Sequence, residues 1–196
     1  QKQDNVIKLT NHYDKTVNSI DMDYDLILIG NGPSALNQEA GEVIDQIPNI
    51  CRFNKFITGK FSKNVGTRTT HWVTYWGHQY KDKGYKEIIS TCFRSPKRFS
   101  RFKSHFPIAK NFPIEVIEKT KRSIKKPSSG AYALVYFMEL NEYKNIALYG
   151  FDHFSSKRHH YANTNGKVGH HDGEAEAKLF QLYIDQGRLS QLNVQN

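Results

Sequence analysis

The sequence predicts an α/β fold built on a largely parallel sheet. Three observations carry this. Leu26-Ile27-Leu28-Ile29 is an unbroken apolar run that ends at Gly30-Asn31-Gly32-Pro33-Ser34, the pattern of a strand buried on both faces and closed by a tight turn. Further strand-like runs alternate with helical patterns along the chain. A chain of 196 residues is long enough for one domain with a proper core.

Taken in order, residues 1–22 are polar and peripheral, with a short strand expected at Val6–Leu9. Leu26–Ile29 is the first core strand. Ser34 is placed to cap a helix from Ala35 to Ile47, with Leu36, Ala40, Val43 and Ile47 on one face. Asn49–Phe53 is a second strand, ending at Asn54, and a third lies around Trp72–Tyr75. Glu87–Thr91 and Glu115–Ile117 are lesser strand or helix candidates. Pro127-Ser128-Ser129-Gly130 punctuates the chain before an apolar run, Ala131–Leu140, that suits a buried helix. Asn145–Tyr149 reads as a strand and 155–171 as a polar loop rich in His and Gly. Glu174–Gln186 is an amphipathic helix stopped by Gly187, and Leu189–Val194 is a last strand.

The formal charge of +9 favours anionic partners. The excess gathers between Arg94 and Lys126, in Arg98, Arg101, Lys103, Lys119, Lys121, Arg122, Lys125 and Lys126. A solvated surface loop explains such a run as well as a binding role does. Phe99, Phe102 and Phe106 are interleaved with it, but no nucleic-acid motif accompanies them, and no nucleic-acid partner is expected. Mean hydropathy is −0.67, and no apolar run reaches the length of a membrane span. The two cysteines, Cys51 and Cys92, form neither a disulfide framework nor a metal pair and read as reduced, buried residues. A cytoplasmic location follows as the expectation. The chain opens with Gln1 rather than Met, so targeting is not read from its start.

Gly30-x-Gly32-x-x-Ala35 after a strand fits a dinucleotide fingerprint in a Rossmann-like domain. The second strand ends without the carboxylate that would hold a ribose, which weighs against a flavin or nicotinamide oxidoreductase. His153, His159, His160, His170, His171 and Asp172 are close in sequence, yet without a known metal-ligand spacing; no metal is expected. Asp21-Met22-Asp23 reads as a solvated turn. His71, Trp72, Tyr75, Trp76 and Tyr80 form an aromatic stretch that suits either a core strand or a sugar-stacking wall.

Several separated blocks together resemble glycosyltransferase family 29, the sialyltransferases. Ile29–Gly32, Gly41–Asp45, Cys51–Asn54 and Val65–His71 resemble the family's large sialylmotif. Ser128-Ser129-Gly130 through Tyr149-Gly150-Phe151 resembles the small motif, His159-His160-Tyr161 motif III, and His171-x4-Glu176 the very small motif. The order Gly30–Ser34 is also similar to the turn of bacterial family 42 enzymes. The resemblance implies a single catalytic domain over residues 1–196, a GT-A-like variant of the Rossmann-like fold. It implies a metal-independent, inverting transfer of sialic acid from CMP-sialic acid to a sugar hydroxyl of a glycan or glycolipid. No cofactor is implied beyond that activated donor; another CMP-activated acid sugar such as Kdo is the nearest alternative, and a non-catalytic protein binding acidic glycans a more distant one.

By the same resemblance, His171 is the general base and His160 meets the leaving phosphate. Gly30, Asn31, Gly32, Ser34, Asn54, Ser128, Ser129, Gly130 and Tyr161 hold the donor, while Glu176, Thr70 and His71 support the site. The animal enzymes' disulfide positions fall here on Leu26 and Tyr143, a departure that points to a bacterial or other cytosolic enzyme. Peripheral contact of the basic region with the inner face of an anionic membrane is a further expectation.

Overall fold

The computed structural model describes residues 23–75, 83–155, 160–162 and 171–194. The expected strand at Val6–Leu9, together with Asp21, Met22, Trp76, Tyr80, His159 and His170, lies outside the described residues.

Among the described residues seven strands form one sheet in the order β5-β4-β3-β2-β1-β6-β7, every neighbouring pair parallel. They are β1 (Leu26–Ile29), β2 (Asn49–Phe53), β3 (His71–Thr74), β4 (Glu87–Ser90), β5 (Lys110–Asn111), β6 (Ile146–Tyr149) and β7 (Leu189–Gln191). Residues of β1 and β6 are buried throughout, as a doubly covered parallel sheet requires. The chain winds outward from β1 to β5, then returns to place β6 on the other side of β1. The crevice beyond the carboxyl ends of β1 and β6 is therefore the topological switch point, where open α/β sheets bind ligands.

Alternate residues of β1 face two separate cores. Leu26 and Leu28 pack under α4 (Ile114–Ser123), α5 (Ser129–Leu140) and α6 (Gly173–Asp185). Ile27 and Ile29 pack under α1 (Gly41–Gln46) and α2 (Ser62–Val65). A third cluster joins Trp72 and Ile88 to Phe102 of α3 (Pro96–His105) and to Phe106, which follows it. α5 is apolar on nearly all sides and buried from Gly130 to Met138.

Two expectations are corrected. The helix expected over 35–47 is a 3-10 turn, Pro33–Leu36, followed by the short α1. Gly41 lies so close to the Ser62 carbonyl that a side chain there would collide, so the chain bends to admit α2 at that point. The basic region contains two helices, α3 and α4, rather than a loop. Phe99, Phe102 and Phe106 lie on one helical face, and that face is held by Trp72. Cys51 and Cys92 are buried and unpaired. Leu26 lies in the apolar cluster under α5, and Tyr143 packs against that cluster. Among the described residues no helix is long and apolar enough to cross a membrane.

Candidate active site

The switch-point crevice is walled by the turn after β1, the residue after β2, the start of α5, the turn after β6 and the start of α6. Glu176 fixes two of these walls to each other. Its carboxylate is 1% exposed and accepts the Ser128 N–H at 2.6 Å and the Ser128 hydroxyl at 2.9 Å. Ser128 in turn caps α5 by accepting from the Ala131 N–H at 3.2 Å. Burial pushes the Glu176 carboxyl up to about 7, against the opposing pull of the two Ser128 bonds. Glu176 thus orients the Ser128 loop rather than the His171 ring.

Asn54 joins this wall to the strand ends. It holds a left-handed backbone at φ 48°, and Asn is among the few residues that adopt this readily. Its amide nitrogen reaches the Ser129 hydroxyl at 3.4 Å, and its side-chain oxygen accepts from the Tyr75 N–H at 3.0 Å. Gly130 lacks a side chain because the Phe151 ring occupies that space; a Cβ would stand 2.7 Å from it.

His171 stands exposed at the foot of α6. Its Nδ1 lies 3.3 Å from the Lys126 carbonyl oxygen, to which it donates, leaving Nε2 as the ring nitrogen without a bond to the described residues. The Phe154 ring packs on the imidazole with centroids 5.1 Å apart. Phe154 and its neighbour His153 both have positive φ, 59° and 47°, in the turn after β6. Two consecutive non-glycine residues in that region mark stored backbone strain.

Other expected site residues are elsewhere or already engaged. Gly30 and Gly32 do not leave an open cradle: a Cβ on Gly30 would strike the Gly150 carbonyl, and one on Gly32 would come within 2.6 Å of the Asp152 carboxylate. That carboxylate accepts the Ser34 N–H at 3.1 Å. The chain's own anion thus takes the amide that a phosphate would use, and a dinucleotide pyrophosphate would have to displace it. Asn31 donates from its side chain to the Phe53 carbonyl at 2.9 Å, and its own carbonyl accepts from Tyr161 N–H at 2.8 Å. Tyr161 is 1% exposed, and its hydroxyl donates to the Ile57 carbonyl at 2.9 Å. It pins residues 160–162 to the loop after β2 instead of facing a ligand. His160 uses both ring nitrogens, Nε2 toward the Lys55 carbonyl at 2.7 Å and Nδ1 as acceptor from the Ala162 N–H at 3.0 Å. A phosphate contact by His160 requires the Lys55 bond to open.

Thr70 and His71 sit at the opposite end of the sheet, because they lie before and at the start of β3. Thr70 Oγ1 accepts from the Ile50 N–H at 2.7 Å, and His71 lies between Thr70 Oγ1 at 2.7 Å and the Tyr143 hydroxyl at 3.2 Å. They brace the fold and do not reach the crevice. Much of the large block is scaffold of the same kind. Asp45 accepts from the Thr67 N–H and Arg68 N–H, both at 2.9 Å. Buried Arg52 donates to the Val65 carbonyl at 2.5 Å and the Arg68 carbonyl at 3.0 Å. Sequence reasoning missed Asp152 and Phe154, although both directly follow the small-motif block. Among the described residues no three His, Cys, Asp or Glu side chains are grouped as metal ligands.

Comparison with known proteins agrees with this architecture. Residues 24–97 match the model of glycosyltransferase family 29 (sialyltransferase). A crystal structure of a mammalian sialyltransferase superposes with a TM-score of 0.62 at 19% identity, over 88% of this chain and 70% of that one. Another, of a mammalian sialyltransferase in complex with Gal-β1-3GalNAc-ortho-nitrophenol, gives 0.61 at 18% identity, over 87% and 69%. At such identity these likenesses speak to the fold. No match to a curated protein was found. The stretch 24–97 is thus similar to glycosyltransferase family 29 (sialyltransferase), within a chain that shares the fold of these two sialyltransferase structures.

Proposed function

We propose that the chain transfers sialic acid from CMP-sialic acid to a hydroxyl of a glycan or glycolipid, with inversion and without a metal. One observation carries this reading. Residues far apart in sequence, Asn54, Ser128, Ser129, Glu176 and His171, converge on the switch-point crevice through the Asn54–Ser129, Glu176–Ser128 and His171–Lys126 contacts.

In the reaction the acceptor oxygen bonds to the anomeric carbon as the carbon–oxygen bond to the CMP phosphate breaks. The acceptor proton passes to His171 Nε2, and CMP leaves with the bonding electrons. A neutral imidazole, held by its Nδ1 hydrogen bond, suits this task and is worth about 10²–10⁴ in rate. The amides of Ser129 and Gly130 open the twelve-residue helix α5, where N–H groups and the helix dipole favour an anion. They and the Ser129 hydroxyl would meet the donor's phosphate or carboxylate. Asn54 would hold the ribose side and Asn31 the phosphate side, with His160 joining once its Lys55 contact opens.

The test is calorimetric titration of CMP and CMP-N-acetylneuraminic acid with EDTA present, followed by an assay of CMP release. Binding of both with slow release of CMP is expected. Binding of CMP without turnover of the sialyl donor would shift the reading to another CMP-sugar such as CMP-Kdo. Absence of binding would remove it.

A further inference from the structure

From residue 88 to residue 114 the chain has no Asp or Glu, while it carries Arg94, Lys97, Arg98, Arg101, Lys103 and Lys110. In α3 the cations Lys97, Arg98, Arg101 and Lys103 all lie off the buried Phe face, with Lys97, Arg98 and Arg101 together on one side of it. Phe102 is 3% exposed and Phe106 fully buried against Trp72, whereas Lys97, Arg98, Arg101 and Lys103 are exposed. Within the helix Lys97 and Arg101 are four apart and Lys97 lies beside Arg98, so these three share one side, and Arg94 adds a cation in the turn before it. Among the described residues Lys110 pairs with Glu87, and none of the cations from Arg94 to Lys103 has a carboxylate within ion-pair distance. The other surface helices differ: α6 pairs Lys178 with Glu174, and Lys119 of α4 pairs with Glu139. Like charges along one helix face repel, so this face gains from an external polyanion.

We infer that the outer face of α3 docks on an anionic lipid bilayer. The aromatic rings that would stack on bases point inward, which disfavours single-stranded nucleic acid. Ile108, 50% exposed in the turn after α3, adds an apolar side chain suited to the headgroup boundary. The face is also tied to the crevice. Arg98 donates to the Tyr75 hydroxyl, and the Tyr75 N–H donates to Asn54 at 3.0 Å. A chain docked through α3 presents the candidate site at headgroup height, where a glycolipid acceptor carries its sugar. The last step rests on the proposed transferase activity; the docking itself does not.

The experiment is co-sedimentation with vesicles of phosphatidylcholine alone and of phosphatidylcholine with phosphatidylglycerol, over a range of salt. Binding only to the anionic vesicles, weakening steeply with salt, is expected. The double variant Lys97→Gln/Arg101→Gln should lose roughly 30-fold in partitioning, at about a five- to six-fold loss per removed charge. Its far-UV circular dichroism and its CMP release with a soluble acceptor should not change. Equal binding to neutral vesicles, unchanged partitioning of the variant, or preference for a DNA duplex over anionic vesicles would overturn the proposal. Vesicle binding without turnover of any CMP-sugar would remove the transferase reading and leave the surface. Turnover without vesicle binding would do the reverse.

Discussion

His171 and His71 stand at opposite ends of the same parallel sheet, and their surroundings are opposites too. His171 is exposed, with one nitrogen held by the Lys126 carbonyl and the other presented outward. His71 is 4% exposed, between Thr70 and Tyr143, with Glu87 at 3.9 Å. Burial keeps its imidazole below the usual histidine range, with Glu87 pulling the other way. The carboxyl end of the sheet thus holds an exposed histidine, for which we propose the role of base, and the amino end holds a buried one that joins strands. Residue type alone does not separate these roles; position along the strand does.

The largest expected effect tests that contrast directly. His171→Ala should lower turnover by about 10²–10⁴ while leaving CMP affinity and melting temperature close to wild type. His71→Ala should do the opposite, destabilising the fold by about 2–3 kcal/mol while turnover per folded molecule holds. Loss of turnover in both at unchanged stability would erase the distinction. Calorimetry, thermal unfolding and CMP release decide it.

Glu176 comes next, since it belongs to the active end yet is as buried as the bracing groups. Its folded-state value of about 7 lies above the ordinary 4.5, so the folded chain holds the proton more tightly. Stability should therefore fall as pH rises from about 4.5 to 7, by up to roughly 3 kcal/mol, and level off above that. Glu176→Gln should flatten this slope, and its amide oxygen can still accept from the Ser128 N–H. Glu176→Ala leaves that N–H unpaired and should also weaken CMP binding. Urea unfolding across pH, with CMP titration of each variant, separates the two effects.

These contrasts explain which parts of the molecule were legible in its sequence. Unbroken apolar runs marked β1 and β6, and Ser128 and Gly187 marked the ends of α5 and α6, because burial on both faces and helix caps are local signals. α3 was hidden by its own charge, although Phe99, Phe102 and Phe106 carry the helical spacing. Of the residues that motif order singled out, Asn54 touches Ser129, and Glu176 holds Ser128. Motif order assigned Thr70 and His71 to the site, although the strand read around Trp72–Tyr75 already set them at its amino end. It could not tell that Tyr161 points into the core, or that Asp152 fills the turn after β1. Those facts depend on the winding of the whole sheet.

His71 also gives a pH test of smaller size and opposite sign to that of Glu176. Its folded value is lowered, so the unfolded chain takes up the proton first as pH falls below about 6.5. Stability should then decline with falling pH until the folded-state value is reached. His71→Gln should remove that decline. Between pH 4.5 and 7 the two groups oppose each other, so the single variants should tilt the stability profile in opposite directions. A shared tilt would mean that one of the two environments is misassigned.

The smallest expected effect comes from Tyr143, the partner of His71 at the amino end of the sheet. Its hydroxyl lies 3.2 Å from His71 Nε2, and its ring packs on Phe137 with centroids 5.7 Å apart. Tyr143→Phe keeps the ring and removes the hydrogen bond, which should cost about 0.5–1.5 kcal/mol and leave turnover unchanged. Joined to His71→Gln in a double-mutant cycle, it should show a coupling of about 0.5 kcal/mol or more, since the two side chains touch. Joined to His171→Ala, across the sheet and sharing no partner, it should add within a few tenths of a kcal/mol. Coupling to His71 without coupling to His171 is what two ends with separate duties require. Coupling to His171 would mean that the bracing end sets the geometry of the catalytic one.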